Sequence, residues 1–354
     1  MRILGMRNPE HRSPKESTLT TRRKPVAAFA MRPDLPALLF SPGDLAALDS
    51  ILELDVVATI EDFAAVDAAR LSEIDVLITG WGTPQIGRAE LAAMPRLAAI
   101  VHAAGTVKGH LADEAWDRGI RVTSAASANA YPVAEYTLAM ILLAGKRVPD
   151  YIRGYAADPG LYDDAPNPAI GNFNRTIGIV GASRVGRRVI ELLQPFDVEV
   201  LLYDPYLAAA DPVHTIARQV PLDELFASST IVSVHAPLLP ETVGMVGHEQ
   251  LALLPEGATV INTARAPIVD QDALEAAVRE RGLRAILDVT EPEPLPAEHP
   301  LRELEGVVIT PHVAGALGTE LRRLGECARR EVELFVAGEP AEHPVTKEAL
   351  IAVA

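Results

Sequence analysis

The chain has 354 residues, enough for two domains of ordinary size that each bury a core. Its 32 basic and 48 acidic side chains give a formal net charge of −16, which argues against nucleic acid as a partner because phosphates would be repelled. No apolar run reaches the roughly 18 residues that span a bilayer. Cys327 is the single cysteine and excludes an intrachain disulfide, so we expect a cytoplasmic protein with no membrane partner.

The first 24 residues are basic, with seven lysines and arginines against two glutamates. They lack the continuous apolar core of a secretory signal, although a targeting peptide stays an alternative. We expect residues 1–24 to form a flexible extension or to result from an early start codon.

Strands and helices alternate from Pro25 onwards, which indicates a small doubly wound lobe with a parallel sheet. Strands are predicted at 26–30, 56–60, 76–79 and 98–102, and helices at 42–54, 64–71 and 91–94. Open α/β sheets bind ligands at the carboxyl ends of their strands, where two loops of this lobe lie. The amides of Ala104 and Gly105 could hold a substrate carboxylate. Trp81 could form an apolar wall, or else pack in the core or between domains.

A long apolar helix is predicted at 132–147, buried between lobes or between subunits. Residues 148–175 follow it and are rich in Pro, Gly, Asp and Asn, which predicts a long surface excursion.

Residues 176–204 predict a strand, a tight turn, a helix and a second strand that ends at Asp204. Gly181 lies at the turn, and Gly186 lies on the first helical turn, where the missing side chain lets the helix approach the sheet. This layout is typical of a dinucleotide-binding unit, with the pyrophosphate on the helix N-terminus and the carboxylate on the ribose. Ser183 replaces the middle glycine of G-x-G-x-x-G, and its hydroxyl could donate to a phosphate. Alternatively, the two glycines only punctuate an ordinary crossover.

Polar residues follow four later strands, predicted at 231–234, 259–262, 284–287 and 307–310. The carboxyl ends of parallel strands converge on one crevice. Arg265, Asp288, Glu293 and His312 are therefore expected to meet there, although they lie far apart along the chain.

Four segments follow one another in this order: VHAPL at 234–238 with ET at 241–242, INTAR at 261–265, LDV at 287–289 with EPLP at 293–296, and TPH at 310–312. In these segments the sequence resembles the D-isomer-specific 2-hydroxyacid dehydrogenase family, which includes phosphoglycerate dehydrogenases, glyoxylate and hydroxypyruvate reductases and D-lactate dehydrogenases. The resemblance covers about residues 98–318. The resemblance implies two α/β lobes and a homodimer: a Rossmann NAD-binding domain, residues 106–318, inserted in a smaller flavodoxin-like substrate domain, residues 25–105 and 319–354.

The catalytic Arg, Glu and His of that family match Arg265, Glu293 and His312. Reduction of a 2-oxo acid needs a hydride at C2 and a proton on the carbonyl oxygen, which a protonated imidazole supplies. A neighbouring carboxylate stabilises the imidazolium, and a guanidinium binds the substrate carboxylate. Glu291 is a rival for the acid, but the family spacing of five positions after the strand-end Asp selects Glu293.

The same resemblance implies the cofactor contacts. Asp288 is expected to hold the nicotinamide carboxamide. The other expected contacts lie at the pyrophosphate and along the cleft: Ser183, Arg184, Val185, His235, Ala236, Pro237, Thr242, Thr263, Ala264, His312 and Ala314. Asp204 favours NAD over NADP because a carboxylate repels a 2′-phosphate and no cation follows it directly. No group of residues has metal-ligand spacing.

The sequence departs from the family pattern after Thr106, where Lys108 and His110 stand in a stretch that is acidic in many relatives. We hypothesise that one of them faces the cleft mouth and favours a substrate with a second anionic group; the alternative is a solvated lysine.

The predicted function is NAD-dependent interconversion of a 2-oxo acid and a D-2-hydroxy acid. Two alternatives stay open: an NAD(H)-sensing, co-repressor-like binding protein, and a family member with other chemistry such as phosphite oxidation. Formate oxidation is disfavoured by Glu293, because relatives that perform it lack this acid.

Overall fold

The computed structural model describes residues 23–158, 160 and 170–352. The predicted N-terminal extension lies outside these ranges except for its last two residues. Of these, Arg23 forms an ion pair of 2.7 Å with Asp75, and Lys24 donates to the Asp49 carbonyl at 2.8 Å.

The first lobe is built on a parallel sheet of five strands in the order β2-β1-β3-β4-β5. The strands are β1 (Val26–Ala30), β2 (Glu53–Thr59), β3 (Val76–Thr79), β4 (Ala99–His102) and β5 (Arg121–Ser124). The helices between them are α1 (Leu35–Leu39), α2 (Pro42–Ile51), α3 (Ala68–Glu73), α4 (Arg88–Ala93) and α5 (Glu114–Asp117). Apolar side chains alternate between the two faces of β1, so Phe29 packs in one core and Ala28 in the other. The strand order is that of a flavodoxin-like sheet, as predicted.

The second lobe is built on a parallel sheet of seven strands in the order β12-β11-β10-β9-β6-β7-β8. The strands are β6 (Arg175–Val180), β7 (Val198–Tyr203), β8 (Arg218–Gln219), β9 (Ile231–Val234), β10 (Thr259–Asn262), β11 (Arg284–Leu287) and β12 (Val307–Ile309). Its helices are α6 (Ala126–Gly145), α7 (Val148–Ala157), α8 (Arg184–Leu193), α9 (Leu222–Ser228), α10 (His248–Leu253) and α11 (Gln271–Arg281). The order reverses between β6 and β9, which is the position where doubly wound sheets bind dinucleotides. The predicted fold class is confirmed.

The chain then returns to the first lobe through α12 (Leu321–Ala337) and α13 (Lys347–Ala352). Leu324 and Val332 of α12 are buried in the same apolar cluster as Phe29, and Pro344 bridges Thr123 of β5. The second sheet is thus an insertion within the first lobe. No helix in the described ranges is long and apolar enough to cross a membrane.

The predicted lobe boundary at residue 106 was placed too early. Strand β5 pairs in parallel with β4, so the chain leaves the first sheet only after Ser124. Its sequence, RVTS, is short and has only one apolar residue, which hides a strand whose last three residues are buried.

The helix predicted at 132–147 begins six residues earlier, at Ala126. Proline favours the first turn of a helix, but Pro132 lies inside α6 and is buried. The surface excursion predicted at 148–175 is also wrong in part, because Val148–Ala157 is helical with its proline in the first turn. The other predicted elements are present with their ends displaced by a few residues.

Candidate active site

The turn between β6 and α8 depends on two glycines. Gly181 has φ +100°, and a Cβ there would lie 2.6 Å from the Ala236 amide nitrogen. A side chain at Gly186 would run into the carbonyl oxygen of Gly181. The backbone therefore leaves a concave surface at the positive end of α8, where a pyrophosphate fits.

Ser183 caps the N-terminus of α8, because its Oγ accepts from the Gly186 amide at 3.3 Å. Among the described residues no acceptor takes its hydroxyl hydrogen, which stays available to a phosphate oxygen. The departure from the glycine pattern is therefore compatible with pyrophosphate binding. Arg184 and Val185 line the same cavity as Ser183, which is described below.

Asp204 directly follows β7 and ties the glycine turn to the end of that strand. Its Oδ2 accepts from the Ala182 amide at 2.7 Å and its Oδ1 from the Tyr206 amide at 2.9 Å. The residue borders a cavity of about 260 Å³, which Gly181 and Thr242 also line. Tyr206 donates to Glu241 at 3.2 Å across this cavity. The carboxylates of Asp204 and Glu241 therefore both line this cavity, where they would repel a phosphate group.

A second cavity, of about 420 Å³, lies between the lobes. Gly105 and Thr106 line it from the first lobe, and Asn129 lines it from α6. On the second-lobe side it is lined by Ala182, Ser183, Arg184, Val185, Arg187, His235, Pro237, Thr263, Ala264 and Arg265. The cavity thus joins the helix end that suits a pyrophosphate to the loop predicted to hold a substrate carboxylate.

Arg265 follows β10 in a loop that Asn262 fixes. The Asn262 side chain donates to the Arg265 carbonyl at 2.9 Å and accepts from the Ala264 amide at 3.0 Å. The guanidinium donates to the Ala264 carbonyl at 2.7 Å. Burial lowers the pKa of Arg265, and the charge of Glu293 opposes that shift. The remaining N–H groups meet no other acceptor among the described residues and can bind a carboxylate.

His312 and Glu293 form a pair at the end of β12. The imidazole Nδ1 lies 2.7 Å from the Glu293 Oε1, and both side chains are about half exposed. The carboxylate therefore orients the ring and leaves Nε2 for proton transfer. Glu291 meets Gln271 through its backbone instead. His312 has φ +55°, a backbone conformation that is uncommon for residues other than glycine.

The buried carboxylate of Asp288 holds the turn that carries His312. Its Oδ1 accepts from the Thr310 hydroxyl at 2.6 Å and from the Val313 amide at 2.8 Å, and its Oδ2 accepts from the Ala314 amide at 2.9 Å. The His312 amide also donates to the Asp288 carbonyl at 3.0 Å. Three donors stabilise the buried charge, and the expected contact with a nicotinamide stays a prediction.

The remaining predicted cleft residues shape the walls of the site. His235 is buried, with Ser233 Oγ at 2.9 Å from Nε2. Burial lowers its pKa to about 3, so the imidazole is neutral at physiological pH. Thr242 donates to the Pro237 carbonyl at 2.6 Å and holds the loop after β9. Among the described residues, no group of His, Cys, Asp and Glu could hold a metal.

The structure does not bring all of the predicted residues to the interlobe cavity: Arg265 lines it, but Glu293, His312, Asp288 and Ala314 are not among its lining residues. Trp81 is 38% exposed on the loop after β3 and is not among the residues that line it. Ala104 is buried beneath Gly105, which does line it. The His110 ring packs against that of buried His102 in a tilted arrangement, with centroids 4.9 Å apart.

Of the two residues that depart from the family pattern, Lys108 is therefore the better candidate for a contact with the substrate. It is exposed, and its amide donates to the Thr106 hydroxyl at 3.1 Å. Thr106 lines the interlobe cavity, so the backbone of Lys108 is held next to a residue of that cavity.

Asn129 is a site residue that sequence reasoning missed. Its Oδ1 accepts from the Ala316 amide at 3.0 Å. Its Nδ2 lies between the first-lobe loop at Gly105 and the Gly315 backbone. The sequence signal is a lone amide in an apolar helix, but it becomes visible only when the helix is recognised to begin at Ala126.

Comparison with known proteins identifies the family. A family model described as "D-isomer specific 2-hydroxyacid dehydrogenase, NAD binding domain" matches residues 138–314. A glyoxylate reductase from Thermofilum pendens is 36% identical over 245 residues, which are 67% of this chain and 71% of that protein. The chain belongs to the D-isomer specific 2-hydroxyacid dehydrogenase family. The resemblance of the four sequence segments is confirmed, and the NAD-binding domain confirms NAD as the predicted cofactor.

Two further similarities bear on length and fold. A D-3-phosphoglycerate dehydrogenase from Mycobacterium leprae is 33% identical over 272 residues, which are 77% of this chain and 51% of that protein. The chain thus spans about half the length of that relative. A D-lactate dehydrogenase from Aquifex aeolicus, complexed with NAD and lactic acid, has a TM-score of 0.67 and 28% identity, covering 89% of this chain and 96% of that chain.

Proposed function

We propose that the protein is an NAD-dependent oxidoreductase that interconverts a 2-oxo acid and a D-2-hydroxy acid. The proposal depends above all on one observation, the 2.7 Å contact between His312 Nδ1 and Glu293 Oε1. This contact lies at the same edge of the sheet as the loop after β10 that carries Arg265. A proton donor and a carboxylate-binding guanidinium at one edge are what reduction of a 2-oxo acid requires.

Each catalytic side chain has a distinct task in the proposed reaction. NAD, when bound, supplies or accepts the hydride at C2 of the substrate. The Arg265 fork binds the substrate carboxylate and fixes the orientation of the carbonyl. Protonated His312 gives a proton from Nε2 to the carbonyl oxygen during reduction, and in oxidation the neutral ring takes it back. Glu293 stabilises the imidazolium and keeps its Nδ1–H directed away from the substrate.

The interlobe cavity supports a small substrate. Its volume of about 420 Å³ must take the nicotinamide half of the cofactor as well as the acid. The lining of Gly105, Ala126, Ala130 and Val133 is made of small side chains, and the Asn129 amide offers a further donor.

The experiment that tests this proposal is a panel of 2-oxo acids with NADH, followed by the absorbance of the reduced nicotinamide. We expect turnover of at least one member, such as glyoxylate, hydroxypyruvate or oxaloacetate. NADH binding with no turnover on the whole panel would contradict the proposal and favour the sensor protein. Phosphite with NAD⁺ belongs in the same panel, because turnover of phosphite alone would favour the other chemistry.

The finer substrate hypothesis concerns Lys108. An exposed ammonium beside Thr106 suits a substrate with a second anionic group. The comparison of Lys108→Met with the wild type on glyoxylate and on oxaloacetate tests this: a rise in KM for the dicarboxylate alone supports it, and equal changes on both contradict it. The homodimer and the cytoplasmic location stay predictions, which light scattering and cell fractionation would test.

A further inference from the structure

Helix α6 carries adjacent hydroxyl side chains that reach two different loops of the site. Tyr136 and Thr137 lie near the middle of α6 (Ala126–Gly145). The Tyr136 hydroxyl lies 2.7 Å from the Thr310 hydroxyl, and the Thr137 hydroxyl lies 3.1 Å from the Thr263 hydroxyl. Thr310 and Thr263 each stand two positions before a proposed catalytic residue. Neither α6 residue was predicted to have a role.

The first hydrogen-bond chain leads from Tyr136 to the turn that carries His312. Thr310 Oγ1 donates its only hydrogen to Asp288 Oδ1 at 2.6 Å, so the phenol must be the donor in the 2.7 Å contact. Burial and the charge of Asp288 raise the pKa of Tyr136, although the hydrogen bond to Thr310 acts in the opposite direction. The raised pKa keeps the phenol protonated. The same Asp288 carboxylate accepts the two backbone amides that directly follow His312.

The second chain leads from Thr137 to the loop of Arg265. The Thr137 hydroxyl donates to the Val133 carbonyl at 2.8 Å, so Thr263 must donate to Thr137 across the 3.1 Å contact. Both hydroxyls are buried, Thr137 completely. Because a buried hydroxyl with no partner is costly, this bond fixes the first residue of the loop that ends in Arg265.

We propose that Tyr136 and Thr137 are positioning residues that set His312 and Arg265 from a single rigid helix. Tyr136 acts on the proton donor through Thr310 and Asp288, and Thr137 acts on the guanidinium through Thr263. The inference rests on the proposed function, since it assigns both residues to the catalytic groups of that function. Because the two positions are adjacent on one helix, the helix fixes the distance between the two groups.

The two contacts predict different kinetic effects. Tyr136→Phe is expected to lower kcat about fivefold, the equivalent of one hydrogen bond, with little change in KM for the 2-oxo acid. Thr137→Val is expected to raise that KM about fivefold, since it loosens Arg265. Thr137→Ser keeps the hydroxyl and should restore the wild-type KM. The matched controls are Tyr155→Phe on the exposed side of α7 and Thr215→Val, for which we expect unchanged kinetics.

A double substitution separates positioning from a general loss of structure. In a Thr310→Val background, Tyr136→Phe should cause no further loss of kcat, because the chain of bonds is already broken. A full additional fivefold loss there would overturn the role of Thr310 as the intermediary. Wild-type kinetics in Tyr136→Phe and Thr137→Val, in an enzyme that is active, would overturn the positioning proposal and leave the function intact.

Hydrogen exchange gives a readout that does not depend on turnover. Tyr136→Phe weakens the hold of Asp288 on the turn, so the backbone amides of Val313 and Ala314 should exchange about fivefold faster, whereas Tyr155→Phe should leave them unchanged. Unchanged exchange in Tyr136→Phe would overturn the proposal whether or not a substrate is found. An inactive wild type that shows the faster exchange would reject only the proposed function.

Discussion

The two ends of the cleft are built in different ways. The cofactor end, around Gly181 and Asp204, comes from one β6–α8–β7 unit, and its parts lie close together along the chain. The proposed reacting end gathers Arg265, Glu293 and His312 from the loops that follow three separate strands. A local unit forms from its own turn chemistry, whereas the reacting end needs the register of the whole sheet. Binding of the cofactor and chemistry should therefore fail independently.

The largest expected effect separates chemistry from binding. His312→Ala removes the proposed proton donor and should lower the rate of 2-oxo acid reduction about 10³-fold. The dissociation constant for NADH, measured by fluorescence, should change less than about threefold, because the residue is half exposed and the glycine turn is intact. A parallel loss of NADH binding would break the proposed independence of the two ends.

The second effect breaks the cofactor end alone. Gly181→Ala places a Cβ 2.6 Å from the Ala236 nitrogen at φ +100°, so we expect a loss of at least about 3 kcal/mol in stability or local order and NADH binding weakened more than tenfold. Gly244→Ala is the matched control, since Gly244 also has positive φ (+65°) but nothing lies within 4 Å of its Cβ position. It should cost only about 1 kcal/mol, measured by denaturant unfolding, and should leave binding unchanged. Equal losses in both variants would show that backbone strain, not close packing, sets the glycine requirement.

A smaller effect sharpens the description of the cofactor end. Asp204→Asn removes the charge that opposes a 2′-phosphate while its amide oxygen can still accept from Ala182 or Tyr206. The ratio of kcat/KM for NADH to that for NADPH should fall about tenfold, through a rise in the value for NADPH. A drop of the NADH value alone, with no gain for NADPH, would mean that Glu241 is sufficient to exclude the phosphate.

The smallest expected effect is a loss of folding stability in acid, which arises from one buried histidine in each lobe. His102 in the first lobe and His235 in the second have pKa values lowered by burial to about 3, from 6.5; the charge of neighbouring His110 adds to the shift of His102. The unfolded chain then binds more protons than the folded chain between these two values, so stability falls as the pH drops from 6.5 towards 3. Each histidine contributes at most about 1.4 kcal/mol per pH unit.

Denaturant unfolding at neutral and mildly acidic pH measures this loss. His102→Gln and His235→Gln should each reduce the acid sensitivity by a similar amount, because each removes one buried imidazole. Acid sensitivity that is unchanged in both variants would assign it to carboxylates instead.

Sequence reasoning worked best where structure is local. The strand, glycine turn, helix and strand of residues 176–204 were predicted in order, and Gly181 and Gly186 lie against backbone as expected. The reacting end was predicted from strand ends and from the family resemblance, because no local pattern shows that Glu293 will meet His312. Its contact depends on β11 and β12 lying side by side.

The failures lie where tertiary packing overrides a local signal. Pro132 is a good first-turn residue, yet six residues before it are helical because α6 is held between the lobes. Asn129 was missed because it lies before the predicted start of the helix. In addition, the partners of Asn129 and Tyr136, which are Ala316 and Thr310, are more than 170 positions away. The strand β5 was missed because a four-residue segment carries too little periodicity.

The insertion of one sheet within the other means that the polypeptide crosses between the lobes twice, once just after Ser124 and once between Ala316 and Leu321. The side-chain oxygen of Asn129 accepts a hydrogen bond from the Ala316 amide, and this bond joins the two crossings to each other. Two adjacent crossings act as a hinge: they allow one lobe to rotate about the line that joins them, and they restrict twisting or sliding of one lobe against the other. We therefore expect substrate to enter and product to leave when the two lobes rotate apart about this single axis.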